Sequence, residues 1–141
     1  MEKFVFHEHV VDVLFESFGF SFEEALENAA LAMFTVIADV EKVKGDEKIE
    51  VEEKAESLEE LVAYTLSSLL SELDSREMFF SKFAVSSFKK IKEGFAVKGV
   101  AYGSPAEPEL GRTFVKAVTY HEIKVEQREN GQWHIHVLLD I

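Results

Sequence analysis

The sequence has 141 residues, a length typical of one domain, and a formal net charge of −12. Its 47% hydrophobic content and thirteen Phe residues predict a packed aromatic core, and the absence of Cys excludes disulfides and thiolate chemistry. A charge this negative disfavours direct, tight binding of nucleic acid and favours a cation or a basic protein partner.

The first half of the chain predicts three strands and two helices. Alternation of apolar and polar residues predicts the strands at 3–9, 13–19 and 46–54. Two capping boxes, Ser21-Phe22-Glu23-Glu24 and Ser57-Leu58-Glu59-Glu60, mark the helix starts. The apolar stripe of the first helix fades near Asp39, and that of the second ends near Asp74.

The second half of the chain predicts two pairs of strands around an irregular loop. The strands are 78–91, 95–102, 114–126 and 132–140, and the loop is 103–112. In the last pair, a three-residue turn ending at Gly131 sets Ile135 against Val125 and Val137 against Ile123. That register places Tyr120 opposite Asp140.

Two amphipathic helices among mostly hairpin-linked strands predict one α+β domain over residues 1–141. We expect two layers, with the two helices packed on one face of a mostly antiparallel sheet. No apolar run approaches the ~18 residues of a membrane span, and no segment has the pattern of a secretory signal. We therefore expect a cytoplasmic protein with no membrane contact.

Acidic groups near both ends of the sequence predict a metal site. If the last strand lies beside an early one, Asp12, Asp140 and the terminal carboxylate of Ile141 form a group of hard oxygen ligands. Such a group suits Ca²⁺ or Mg²⁺. The alternative is that Asp12 ends a strand and Asp140 lies in a solvated tail. The apolar run 137–139 favours a tail that is held in the sheet.

Other polar residues admit both a functional and a structural interpretation. The pairs His7-x-His9 and His134-x-His136 each put two imidazoles on one strand face, as in some Zn²⁺ sites, but they equally fit exposed strand positions. His9 could orient Asp12 or donate to an anion. The basic stretch 88–92, with Lys82 and Lys98, suggests a nucleic-acid surface less strongly than the solvated face of a sheet.

Lys116 and Arg112 lie near the irregular loop, where they could meet a phosphate group or an acidic partner. Solvated surface charge is the simpler interpretation of both. The sequence contains neither a Gly-rich phosphate loop nor a Gly-x-Ser-x-Gly nucleophile motif, so a hydrolase that uses the same acids has little support.

Three segments of the sequence resemble the archease family. They are His9-Val10-Val11-Asp12, the helix start Ser21 to Ala30, and Val115-Lys116-Ala117-Val118-Thr119-Tyr120-His121 with the ending Asp140-Ile141. Two features depart from the family pattern. Glu8 precedes His9 where Asp is usual, and the loop 103–112 has neither the Glu that usually follows its first Gly nor the His that usually comes later.

The resemblance implies a small α+β protein that is not itself an enzyme. Archeases assist the tRNA-splicing RNA ligase, promote its guanylylation and multiple turnover, and meet tRNA only indirectly. The resemblance also implies a divalent cation, Ca²⁺ first and Mg²⁺ or Mn²⁺ as alternatives, at Asp12, Asp140 and Ile141. His9, Lys116 and Tyr120 are then candidates for supporting or partner contacts. An older suggestion for the family, a general chaperone or protein-interaction module with a structural metal, remains the alternative.

Overall fold

The computed structural model describes residues 2–7 and 12–141. The helices in this part of the chain are α1 (Phe22–Ile37) and α2 (Leu58–Ser75). The strands are β1 (Phe4–His7), β2 (Asp12–Gly19), β3 (Glu47–Ala55), β4 (Met78–Ile91), β5 (Gly94–Pro105), β6 (Ala117–Val118), β7 (Lys124–Gln127) and β8 (Trp133–Asp140). The predicted α+β class, with two helices and mostly antiparallel strands, is confirmed.

The strands form two sheets, a division that the sequence pattern did not predict. The first sheet has the order β1-β2-β8-β6, with β7 also paired to β8, and the second has the order β3-β5-β4. Every pairing of these strands is antiparallel. Helix α1 contacts β2 and β8 of the first sheet and β4 of the second, so its side chains form the core between them. No helix of the described chain is both long and apolar enough to cross a bilayer.

Helix α1 begins with the reciprocal cap that the sequence predicted. The backbone N–H of Glu24 donates to Ser21 Oγ (3.1 Å), and the N–H of Phe20 donates to Glu24 Oε1 (2.8 Å). Four alanines of the helix are fully buried; they are Ala25, Ala29, Ala30 and Ala32. The helix ends at Ile37, slightly before the predicted Asp39.

Helix α2 has a different arrangement at its first turn. The N–H of Glu60 donates to Ser57 Oγ (3.1 Å), but the Glu60 carboxylate contacts the hydroxyls of Ser57 (3.3 Å) and Tyr64 (3.1 Å). The predicted contact from the Glu60 carboxylate back to a backbone N–H is therefore replaced by contacts to two side-chain hydroxyls. The helix buries one leucine-rich face against β3, β4 and β5.

The predicted continuous strand 114–126 is wrong. Within this range only Ala117–Val118 and Lys124–Gln127 are paired as strands, and a 3₁₀ turn, Tyr120–Glu122, separates them. Val125 lies opposite Ile135 as predicted, but Ala117, not Tyr120, lies opposite Asp140. The 3₁₀ turn is the physical reason, because its extra residues shift the register between the two short strands.

The loop 103–112 is shorter than predicted. Strand β5 continues through Gly103 to Pro105, and Pro108–Leu110 form a 3₁₀ turn. Gly103 permits this continuation, since a Cβ atom there would lie 2.2 Å from the carbonyl oxygen of Phe79. The backbone N–H of Asp39 donates to the carbonyl of Leu110 (2.9 Å), which ties the remaining loop to the end of α1.

Candidate functional site

The early and late acidic residues of the sequence lie side by side. Strand β2 pairs with β8 along its full length, and Asp12 is directly opposite Asp140 in the last pair of the ladder. Paired residues share one face of a sheet, and Asp140 lies on the face opposite to the buried Leu139. Asp140 is exposed, whereas Asp12 is half-buried and its Oδ1 atom is screened from solvent.

This pairing fits the chemistry of a divalent cation. Directly opposed residues on antiparallel strands have Cα atoms ~4.5–5.5 Å apart, within reach of a shared ion. Two carboxylates in that position repel each other, which costs stability. Carboxylate oxygens are also the ligands that Ca²⁺ and Mg²⁺ prefer. A cation between Asp12 and Asp140 would therefore remove a repulsion that the backbone register creates.

The segment that ends at Ile141 is held in the fold. The side chain of Ile141 packs against the hydrophobic core. The backbone N–H of Lys116 donates to the carbonyl of Asp140 (2.8 Å), and that of Thr119 donates to Leu138 (2.9 Å). Asp140 thus lies between β2 on one side and β6 on the other, so the interpretation of a solvated tail is wrong.

A concavity of about 420 Å³ opens beside Asp12. Its lining includes Phe6, His7, Thr35, Val36, Arg112 and Thr113. The N–H of Arg112 donates to the carbonyl of Ile37 (2.8 Å), which fixes this segment to the end of α1. The Arg112 guanidinium lies 3.8 Å from the Asp39 carboxylate. The end of the irregular loop therefore contributes the positive charge of Arg112 to the concavity that Asp12 lines. No sequence pattern indicated that these two residues share a concavity.

Tyr120 lies away from the acidic pair, against the first turns of α2. Partial burial, followed by the negative charge of Glu60, raises the pKa of Tyr120 above its ordinary value. A hydrogen bond to Glu60, followed by the charge of the same carboxylate, raises the pKa of Tyr64. Both phenols remain partly exposed and neutral. Tyr120 therefore belongs to a separate group around Glu60 and is not beside Asp140.

The late histidine pair is held by neighbouring side chains. His136 Nε2 lies 3.0 Å from Glu16 Oε1 across the β2–β8 ladder. His134 is buried, its ring packs edge-on against Phe18 (4.8 Å between centroids), and its Nε2 atom lies 2.9 Å from Gln132 Oε1. Burial lowers the pKa of His134 below its ordinary value. The alternation of side chains along β8 was the sequence signal that places His134 and His136 on the same face of the sheet.

The remaining metal predictions have less structural support. His9, and with it the pair His7-x-His9, lies outside the described residues. Within residues 2–7 and 12–141, no three His, Asp or Glu side chains converge closely enough to hold a metal ion. Of the predicted ligands, the structure therefore brings together the carboxylates of Asp12 and Asp140.

Comparison with known proteins identifies the family. Residues 4–141 match the sequence model of the Archease protein family. The chain belongs to the archease family. It is 37% identical to an archease of Pyrococcus abyssi over 143 aligned positions that cover all of both chains. It is 41% identical to an archease of Sulfurisphaera tokodaii over 132 positions, covering 92% of this chain and 93% of that one.

Two solved structures have the same fold. A solution structure of a Methanobacterium thermoautotrophicum protein is 34% identical and covers all of both chains, with a TM-score of 0.89. A crystal structure from Thermotoga maritima, named as an archease and possible chaperone, is 24% identical with a TM-score of 0.61. It covers 96% of this chain and 94% of its own. The second likeness concerns the fold alone.

Proposed function

We propose that this protein is an accessory factor of the tRNA-splicing RNA ligase that promotes the ligase's guanylylation and multiple turnover. In this proposal Asp12, Asp140 and the carboxylate of Ile141 hold a divalent cation, Ca²⁺ or otherwise Mg²⁺ or Mn²⁺. Membership of the archease family supports the ligase as partner. The observation that carries the proposal is the register of β2 on β8, which sets Asp12 opposite Asp140.

In this proposal Asp12, Asp140 and Arg112 have different roles. A bound divalent cation would supply positive charge that can neutralise phosphate oxygens during nucleotide transfer. Asp12 would provide a fixed ligand, because it is half-buried at the start of a strand paired on both sides. Asp140 is exposed and can face a partner while it keeps its place in the ladder. Arg112, beside the same concavity, can attract an acidic or phosphate group of the partner.

The decisive experiment measures guanylylation of the cognate ligase with GTP, with and without this protein. We expect faster guanylylation and several rounds of ligation per ligase molecule. Asp12→Asn and Asp140→Asn should each reduce the stimulation at least about tenfold, since each removes a charged ligand of the cation. A matched control is Asp46→Asn. Asp46 is an exposed acid that directly precedes β3 and lies outside the candidate site.

The contribution of Ile141 can be separated from its packing. One glycine appended after Ile141 keeps the apolar side chain in the core but moves the terminal carboxylate. We expect this variant to fold with the stability of the parent and to stimulate the ligase less. Full stimulation by the extended chain and by both Asn variants would contradict the metal role, while no stimulation by the parent would contradict the ligase as partner.

A second candidate function, a chaperone or protein-interaction module, is favoured by one apolar surface. A cavity of about 250 Å³ between the ends of the helices and segment 111–115 has Ile37, Leu70, Leu73 and Phe79 in its lining. Phe114 at its edge is 70% exposed. Exposed apolar surface of this kind binds unfolded or partner chains. This function predicts that Phe114→Ser reduces suppression of client aggregation, whereas Asp140→Asn leaves it unchanged.

A further inference from the structure

The outward face of the second sheet has a charge opposite to that of the whole protein. The register of β3, β5 and β4 places five lysines on this face: Lys48, Lys54, Lys82, Lys89 and Lys98. The acids on the same face are Glu50 and Glu52. The chain as a whole has 27 acidic residues and 15 basic ones. We call this surface, defined by the five lysines, the lysine face.

These lysines are free to meet an external anion. All five are exposed, and none lies within 4.0 Å of a carboxylate in the described part of the chain. Glu52 is opposite Lys98 in the register, yet the two do not form an ion pair at that distance. Ammonium groups with no internal carboxylate partner keep their full attraction for phosphate.

An aromatic ring lies among the lysines. Tyr102 on β5 is half-buried, and the ammonium groups of Lys48 and Lys82 lie 5.8 Å and 5.6 Å from the centre of its ring. The register sets the three residues side by side across the sheet. An aromatic side chain between cations on an open sheet is the arrangement on which unpaired bases stack while their phosphates meet the cations.

The surface is also shaped by irregularities of β4. Register shifts between Phe80 and Lys82, and between Val85 and Ser87, mark bulges in this strand. Depressions of about 380 Å³ and 150 Å³ lie on the face; Lys98 lines both, with Glu50 and Glu52 in the larger one and with Glu52, Lys54 and Lys89 in the smaller one. The bulges bend the strand and leave room beside Lys98 for a group larger than water.

The overall negative charge does not prevent anion binding at this surface. The two helices, which carry seven of the 27 acidic residues, pack against the opposite face of the sheet. Charges more than ~8 Å apart are largely screened at physiological ionic strength. A phosphate at the lysine face therefore interacts mainly with the local excess of lysine.

We propose that the lysine face binds single-stranded RNA, with phosphates at Lys48, Lys82 and Lys98 and a base stacked on Tyr102. This direct contact departs from the indirect contact with tRNA that the family resemblance implies. The binding itself does not depend on the ligase. Only the choice of RNA over DNA rests on the proposed function, which places this chain beside an enzyme that joins RNA. A protein with an acidic surface is the competing occupant that the experiment must exclude.

The test is fluorescence anisotropy with a labelled single-stranded RNA of about 15 nucleotides, a length that spans one such site. We expect saturable binding that weakens as salt is raised. The triple variant Lys48→Gln, Lys82→Gln and Lys98→Gln should lower the slope of log affinity against log salt by about 2, because each phosphate contact contributes about 0.7. Lys42→Gln, Lys124→Gln and Arg128→Gln together make the matched control, with the same charge change outside the lysine face.

The stacking contact has its own pair of variants. Tyr102→Leu should weaken RNA binding roughly tenfold at constant salt, since stacking on an aromatic ring is lost. The control is Tyr64→Leu, which should leave RNA binding unchanged, because Tyr64 is a partly exposed tyrosine on α2 and not on the lysine face. Circular dichroism of every variant verifies the fold. Lys98→Gln alone changes a single exposed residue, so it tests the same salt dependence with less risk to the fold.

Four results would overturn the proposal. They are no RNA binding at low salt, an unchanged salt slope in the triple variant, tighter binding of DNA than of RNA of the same sequence, and equal competition by polyglutamate. The last result would assign the lysine face to an acidic protein partner. Because no ligase is present, none of these results bears on stimulation of guanylylation.

Discussion

Glu27 of α1 reaches the second sheet and accepts a hydrogen bond from the backbone N–H of Val85. The distance from Val85 N to Glu27 Oε2 is 2.8 Å, and Val85 lies next to a register shift in β4. A bulge interrupts the ladder of backbone hydrogen bonds, so a donor there needs another acceptor. The carboxylate of Glu27 supplies it, and in doing so fixes α1 against the sheet that carries the lysine face.

Glu27→Ala should therefore destabilise the protein by about 1.5–3 kcal/mol, the range for hydrogen bonds to charged groups. Urea unfolding followed by circular dichroism measures the loss. Glu23→Ala on the same helix is the control, and it should cost less than about 1 kcal/mol because it removes only a favourable charge at the helix start. Equal losses in the two variants would show that the contact with Val85 contributes nothing of its own.

The opposed carboxylates of Asp12 and Asp140 predict a stability that depends on divalent cations. In the presence of chelator, Asp140→Asn should unfold at the same denaturant concentration as the parent or a higher one, a gain of less than about 1 kcal/mol, because a like-charge pair is removed. Ca²⁺ at a hundred times its dissociation constant should stabilise the parent by about 2.7 kcal/mol.

The same amount of Ca²⁺ should stabilise Asp12→Asn and Asp140→Asn far less than the parent. Thermal unfolding with and without Ca²⁺, Mg²⁺ and Mn²⁺ measures these gains and ranks the cations. Asp46→Asn should respond as the parent does. If both site variants gain as much as the parent from every cation, the carboxylate pair is not the binding site.

The two helix caps predict different responses to loss of their glutamates. Ser21→Ala and Ser57→Ala should each cost about 1 kcal/mol, since each hydroxyl accepts a backbone N–H. Glu24→Ala should cost more than Glu60→Ala, because only Glu24 also accepts a backbone N–H, that of Phe20. Urea unfolding of the four variants gives the comparison, and a larger loss for Glu60→Ala would contradict it.

The buried imidazole of His134 predicts a loss of stability in mild acid. Burial lowers its pKa in the folded state, so the unfolded chain binds the proton more readily. Arg128 and His136 lower the pKa further, while Glu16 and Glu126 oppose them. The free energy of unfolding should therefore fall as the pH drops below the unfolded-state pKa of about 6.5.

Urea unfolding at several pH values between 7.5 and 5 checks this dependence. His134→Gln should remove part of the loss in acid, since the titrating group is gone. His121→Gln, at an exposed position, should leave the pH dependence as it is in the parent. A parent protein with the same stability across this range would contradict the prediction.

The elements that the sequence predicted well are those set by local interactions. The helix starts at Ser21 and Ser57 follow from capping chemistry within one turn, and the pairing of Val125 with Ile135 follows from turn length and side-chain alternation. The 3₁₀ turn Tyr120–Glu122 was missed because the residues around it alternate as a strand does. Because the prediction lacked this turn, it wrongly set Tyr120 opposite Asp140.

The long-range arrangement could be predicted only in part. The apolar faces of the strands indicate which side is buried, but they do not indicate which strands are neighbours, so the division into two sheets was not foreseen. The acidic residues of the candidate site were named because they lie near the two ends of the sequence, which meet if the last strand lies beside an early one. The position of Arg112 beside Asp12 depends on hydrogen bonds from the loop to α1, and these have no signature in the sequence.

The pairing of β2 with β8 has a consequence for biosynthesis. A ribosome that has released only the first strands and both helices has not yet made the partner of Asp12, because that partner is at position 140. The central pair of the first sheet can form only when nearly the whole chain has emerged. The proposed cation site is therefore completed last, and chains that lack β8 cannot form it.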